Sequence, residues 1–294
     1  MDRNPYRQFN YLTAIAAVIF VLSPQAFAQP NPDSPATQWV PILYGNNIVP
    51  DPSGDQQTGS AELDIVGNLS EPSLYLQYAD GYLGFRLRLG ADVNPAGFKG
   101  CAFVGLDVNG NGPLDLFIGV DNQGSHDAIG IWLPGSGANT SPNTTSVGTM
   151  ADSYPETSLS YDFTPLSATL APTSLNYDLN ADGYTDQYLT FYVPFADVAS
   201  ALATQNINFT TNSLMDLVVM TATQPNSLNG DINGVDGGTG SGQTWTQLGA
   251  ASLAYTPVSI VPFNPISVPE PSQQTLFCLA GGAALLQWVV RRRH

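Results

Sequence analysis

Residues 74–89 read LYLQYADGYLGFRLRL, and this stretch decides the fold. In its second half Leu83, Phe85, Leu87 and Leu89 alternate with Gly84, Arg86 and Arg88. Successive side chains leave a strand on opposite sides, so a period of two marks a strand with one face on a core. Arg86 and Arg88 share the other face, which the pattern predicts to be wet. The run 74–78 is a second strand. Between the two, Asp80-Gly81 is a dipeptide that suits the tight turn of a hairpin.

Outward from this hairpin, further strands are predicted at 39–44, 63–66, 101–106, 115–120, 128–133, 159–163, 187–193 and 214–222. Residues 244–248 and 251–255 are expected to close the sheet. One short helix is predicted at 194–203, where Phe195, Val198, Ala199 and Leu202 fall at helical spacing. Polar, Gly/Asn-rich stretches at 134–157 and 226–243 read as loops, and 29–60 as an extended lead-in. Eight to ten strands with hairpin turns imply an all-β fold, an antiparallel β-sandwich of jelly-roll type over residues 61–260.

The chain has 24 Asp and Glu against 8 Lys and Arg. Five of the basic residues lie near the termini, which leaves Arg86, Arg88 and Lys99 against 22 acids in the body, a net charge of −19. Phosphate binding needs clustered Lys and Arg, so nucleic acid is excluded as a partner. Divalent cations and neutral polysaccharide suit such a surface. Only Cys101 lies in the body, with Cys278 near the C-terminus, so no disulfide staples the domain. Cys101 sits in an apolar strand and reads as a small buried hydrophobe.

Two segments share one spacing. Residues 107–115 read D-x-N-x-N-G-x-x-D and residues 178–186 read D-x-N-x-D-G-x-x-D. In a calcium loop, positions 1, 3 and 5 send oxygens to one cation, Gly at 6 permits the turn, position 7 gives a carbonyl and position 9 another oxygen. The predicted ligands are Asp107, Asn109, Asn111, Pro113 and Asp115 in the first loop, and Asp178, Asn180, Asp182, Tyr184 and Asp186 in the second. Position 12 is Ile118 or Leu189 rather than Glu, so neither is an EF-hand. The plain alternative is a turn built from turn-forming residues. A third stretch, 231–238 (DINGVDGG), has the wrong spacing and reads mainly as a loop.

Catalysis is hard to build from this composition, and no catalytic residue is predicted. His126 stands alone in the body and reads as solvated, so it serves no triad. Zinc ligands are lacking. Glu62, Glu71 and Glu156 are the only body glutamates, and none sits in a motif for glycoside hydrolysis. Trp39, Trp132 and Trp245 read as core residues, with sugar stacking as the alternative.

The ends read as export signals. Arg3 and Arg7 precede an apolar run at 11–22 and then Ala26-Phe27-Ala28, a signal peptidase site with cleavage after Ala28. That run of 12 residues is shorter than the roughly 20 that span a membrane as a helix. At the other end, Val268-Pro269-Glu270-Pro271 leads into a 16-residue apolar stretch at 275–290 and then Arg291, Arg292 and Arg293. The arginines hold such a tail on the cytoplasmic side. Over 267–294 this tripartite tail closely resembles the PEP-CTERM sorting signal. The resemblance implies an exosortase-type processing enzyme as partner, a short transmembrane helix within 261–294, and transient anchoring in the inner membrane. It implies display or release at the cell surface of a host that makes exopolysaccharide.

A second resemblance covers residues 60–135. The order PSLYLQYADGYLGFRLRL then FVGLDVNGNGPLDLFIGVD is similar to surface modules of the DOMON and family-nine carbohydrate-binding type. That similarity implies a β-sandwich binding a sugar or small ligand on one face. Haem-binding versions use Met and His, and a single body histidine argues against haem here. Together these readings predict an exported, non-enzymatic surface or matrix protein with a Ca2+-stabilised sandwich, with carbohydrate binding as the alternative and a polysaccharide-cleaving jelly-roll enzyme behind it.

Overall fold

The computed structural model describes residues 30–44, 50–93 and 97–259. The signal peptide expected at 1–28, with Ala26 and Ala28, and the sorting signal from Val268 to Arg293 lie outside the described residues. No helix among the described residues is long and apolar enough to cross a membrane.

Among the described residues, ten strands and two α-helices follow in chain order: β1 (Val40–Pro41), β2 (Leu74–Ala79), β3 (Tyr82–Leu89), β4 (Cys101–Asp107), β5 (Leu116–Asp121), β6 (Ala128–Pro134), β7 (Val147–Pro155), β8 (Tyr161–Pro165), β9 (Gln187–Pro194), α1 (Phe195–Ala203), β10 (Asp216–Ala222) and α2 (Trp245–Leu248). They form two five-stranded sheets, β1-β2-β3-β9-β8 and β10-β4-β5-β6-β7. Every ladder between them is antiparallel. The chain changes sheet between β3 and β4, between β7 and β8, and through α1 between β9 and β10. The β2–β3 hairpin turns on Asp80 and Gly81, with φ of 47° and 82°, the doubly positive geometry whose twist matches the flanking strands.

The inter-sheet core is built from the alternating residues. Leu83, Phe85, Leu87 and Leu89 of β3 meet Val104 and Leu106 of β4, Ile118 of β5, Leu189 and Phe191 of β9, and Val219 of β10. All ten are fully buried, and each large side chain so placed stabilises the fold by about 1.5–3 kcal/mol before entropy is counted.

Much of each outer face is covered. Trp39, Tyr75, Leu166, Leu170, Tyr188 and Tyr192 form a second apolar cluster over the first sheet. Phe103, Phe117, Trp132, Met220, Leu228 and Trp245 form a third over the other. The expectation that Arg86 and Arg88 face solvent is therefore corrected: they are 0% and 1% exposed. Alternation identifies their face, but segments distant in sequence cover it. Arg86 donates from Nη1 to Ser34 O at 2.8 Å, from Nε to Thr190 Oγ1 at 3.0 Å, and from Nη2 to Pro32 O. Its guanidinium lies 4.4 Å from the Trp39 ring centroid and 4.9 Å from that of Tyr188. Burial lowers its pKa. Beside it Gly84 leaves the space that the Tyr192 ring fills, since a Cβ there would run into the ring.

Other expectations change locally. The polar stretch 134–157 contains β7, an edge strand exposed along most of its length. Within 244–248, Trp245–Leu248 forms α2 instead of a strand, because Thr244 Oγ1 accepts from Gln247 N while Gln247 caps Thr244 N, the reciprocal pair that starts a helix. Residues 61–63 make a 3-10 turn, with only Ile65 bridging to Leu89. Of 39–44 only Val40–Pro41 pairs as a strand, and of 251–255 only Tyr255 bridges, to Met215.

Candidate metal centre

The first Asp/Asn loop joins β4 to β5, and the second leads into β9. They share three hydrogen bonds, from position 6 to position 1, from 5 to 3 and from 2 to 9, and differ in the second donor to position 1. At position 1, Asp107 accepts from Gly110 N and Gly112 N, both at 2.8 Å. Asp178 accepts from Asp182 N and Gly183 N, both at 3.1 Å. At position 3, Asn109 Oδ1 accepts from Asn111 N at 3.1 Å and Asn180 Oδ1 from Asp182 N at 3.3 Å. At position 9, Asp115 Oδ2 accepts from Val108 N at 2.9 Å and Asp186 Oδ2 from Leu179 N at 3.2 Å. Positive φ recurs at position 4, in Gly110 (68°) and Ala181 (56°), and at position 6, in Gly112 (97°) and Gly183 (89°). At position 7 Pro113 is half-buried and Tyr184 exposed. The two spacings thus fold into one geometry, with the oxygen-bearing residues on a tight turn.

Their surroundings differ. Asp107 faces Asp216 across the β4–β10 ladder, a carboxylate the motif does not contain. Burial first, and then Asp107, push the Asp216 carboxyl up to about 6. Burial likewise raises Asp115, helped by Asp107. In the second loop Asp186 is fully buried, and Arg88 donates to its Oδ2 from Nε at 2.7 Å. Burial raises the Asp186 carboxyl to about 6 despite the opposing pull of Arg88. Its Oδ1 has no hydrogen-bond partner among the described residues.

A third acidic group lies outside both loops and includes Asp231 of the 231–238 stretch. Asp51, Asp55 and Asp231 each bring a carboxylate oxygen within 4.8 Å of the others, and this trio can hold a metal ion. It is the one such cluster of three carboxylates among the described residues. Sequence spacing cannot reveal it, because its members come from two segments separated by most of the domain. The only hint was the acidic 231–238 stretch itself.

The remaining candidates are accounted for by packing. Trp39, Trp132 and Trp245 are 4%, 3% and 2% exposed, so none offers a ring to a sugar. Cys101 is buried and donates to Asp121 Oδ1 at 3.3 Å, and burial pushes its thiol up. His126 is exposed but not alone, since its Nδ1 lies 3.0 Å from Asp121 Oδ2. Glu71 is held by Arg88 Nη1 at 2.5 Å. Glu156 is pushed up to about 7 by burial. No family model, no curated protein and no solved structure matches the chain.

Proposed function

We propose that this chain is exported, sorted by an exosortase-type enzyme, and acts at the cell surface or in the extracellular matrix as a non-enzymatic structural or adhesive protein whose sandwich is stabilised by Ca2+. The observation that carries the calcium part is the repeated loop. Two segments with the same oxygen-rich spacing share three side-chain-to-backbone hydrogen bonds and the same pair of left-handed residues. Asp107, Asn109, Asn111, the Pro113 carbonyl and Asp115 are assigned to one ion, and Asp178, Asn180, Asp182, the Tyr184 carbonyl and Asp186 to another. Calcium takes six to eight oxygen ligands and tolerates irregular geometry, so water completes each shell. A body this acidic repels itself, and each bound cation offsets part of that repulsion.

Export and sorting rest on the two ends of the sequence. Processing is tested by expressing the chain in an exopolysaccharide-producing host with and without its exosortase-type enzyme. Loss of the C-terminal segment only when the enzyme is present is the expected result; the same mature mass in both hosts contradicts it.

Carbohydrate binding is the second reading, favoured by one feature. A cleft of about 340 Å³ is lined by Pro30, Asp80, Tyr82, Thr157, Leu159 and Ser160, and both Tyr82 and Leu159 are exposed. An exposed aromatic ring beside hydroxyls and a carboxylate suits a sugar. Retention on a glycan array that is lost in Tyr82→Ala supports it; no retention at millimolar glycan removes it.

A further inference from the structure

We infer that Asp51, Asp55 and Asp231 form a third, buried Ca2+ site that fastens the segment before β2 to the loop after β10. The inference shares with the proposed function only its ion, and none of its ligands belongs to the two repeated loops.

The three carboxylates are held in place by backbone amides of the opposite segment. Asp51 Oδ1 accepts from Gly234 N, and Asp55 Oδ2 accepts from Gly237 N at 2.8 Å. In return Asp231 Oδ2 accepts from Ile65 N at 2.8 Å. The exchange aims carboxylates from both sides at one point. Opposed oxygens around a calcium ion lie about 4.8 Å apart, from metal–oxygen distances of roughly 2.3–2.6 Å. The trio's ligand oxygens lie within 4.8 Å of one another, close enough for one ion to sit among all three.

A second observation points to the ligand. Asp51 is only 4% exposed, and its Oδ2 has no hydrogen-bond partner among the described residues. Asp55 Oδ1 is likewise buried without one. Around Asp51 stand further carboxylates, Asp231, Asp55 and Asp64, and among the described residues no Lys, Arg or His forms an ion pair with any of the four. Buried charges of one sign without a counter-charge are costly, and cations or protons are what compensate them. Every donor is oxygen, which selects a hard cation over zinc or copper. The irregular, loop-borne arrangement favours calcium over magnesium, whose octahedral demand is stricter.

The location gives the ion a structural task. Thr221 N pairs with Asp231 O at 2.9 Å and Asn233 N with Val219 O at 3.0 Å, so the 231–233 stretch runs along edge strand β10 of the second sheet. Ile65 bridges to Leu89 of the first sheet. An ion shared by Asp51, Asp55 and Asp231 thus spans the seam between the two sheets.

The test is equilibrium dialysis of the full chain against Ca2+, with bound metal counted per chain. Asp231→Asn and Asp55→Asn are each expected to lose one equivalent that the Asp107→Asn/Asp178→Asn double variant retains. Asp55 is only partly buried and so guards against misfolding of the Asp231 variant, with circular dichroism as the check. If both single variants bind as much calcium as the parent, the inference is overturned. If a parallel dialysis against Mg2+ shows the equivalent that both variants lose, and the Ca2+ dialysis does not, the assignment of the ion is overturned. If the double variant alone matches the parent, the two loops fail as sites while this one stands.

Discussion

Arg88 donates from Nε to Asp186 Oδ2 at 2.7 Å, and through this contact the third strand of the sandwich grips the last carboxylate of the second Asp/Asn loop. The same guanidinium reaches Glu71 Oε2 at 2.5 Å and Asn176 O at 2.7 Å. One buried cation thus orients the loop, the segment before β2 and the sheet face at once.

Removing that cation strands two buried carboxylates. Breaking a buried ion pair from one side costs about 3–5 kcal/mol. Arg88→Met is therefore expected to lower the free energy of unfolding in urea by that amount at neutral pH. A change below about 1 kcal/mol, the scale of an exposed ion pair, contradicts the burial described here.

The loop backbone makes predictions of opposite sign. Gly183 has φ of 89° with no atom within 4 Å of a Cβ built on it. Gly183→Ala is expected to destabilise by about 1–2 kcal/mol through backbone strain alone. Ala181, with φ of 56°, already carries such strain, so Ala181→Gly is expected to leave stability unchanged or raise it. Denaturant midpoints compare the two, and equal losses from both refute the paired left-handed geometry.

Buried acids set the pH dependence of the chelated protein. Glu156 is raised from 4.5 to about 7, first by burial, with the Asn122 hydrogen bond opposing. Asp162 is raised from 3.8 to about 6 by burial and by Asp33. A raised carboxyl binds its proton more tightly in the folded state, so its contribution is complete below the unfolded pKa and lost as pH rises through the folded one. Stability in chelator should fall between about pH 4 and pH 7, and Glu156→Gln should flatten the upper part of that decline. A midpoint that rises across this interval, in parent and variant alike, contradicts these shifts.

The β2–β3 hairpin was legible because Leu83, Phe85, Leu87 and Leu89 alternate without interruption and Asp80-Gly81 marks the turn. What covers Arg86 was not, since Trp39 and the carbonyls of Pro32 and Ser34 arrive from a stretch with no periodicity. β7 escaped notice because an exposed edge strand needs no apolar alternation, and only Val147 of its nine residues is buried. Residues 244–248 carried a helix signal in Thr244 and Gln247 that the aromatic Trp245 masked. Of the acidic sites, the two repeated loops are local and readable. Asp51 and Asp231 come from segments far apart in the chain, so no spacing announces them.

The most direct test of the account is thermal unfolding of the full chain in Ca2+ and in chelator. A ligand bound only by the native state raises its apparent stability, by about 2.7 kcal/mol at a hundredfold excess over Kd. The expected result is a midpoint several degrees lower in chelator, restored by Ca2+ but not by Mg2+, with the restoration reduced in Asp107→Ala and in Asp178→Ala. Superimposable transitions in Ca2+ and chelator would contradict calcium stabilisation and reduce both loops to turns.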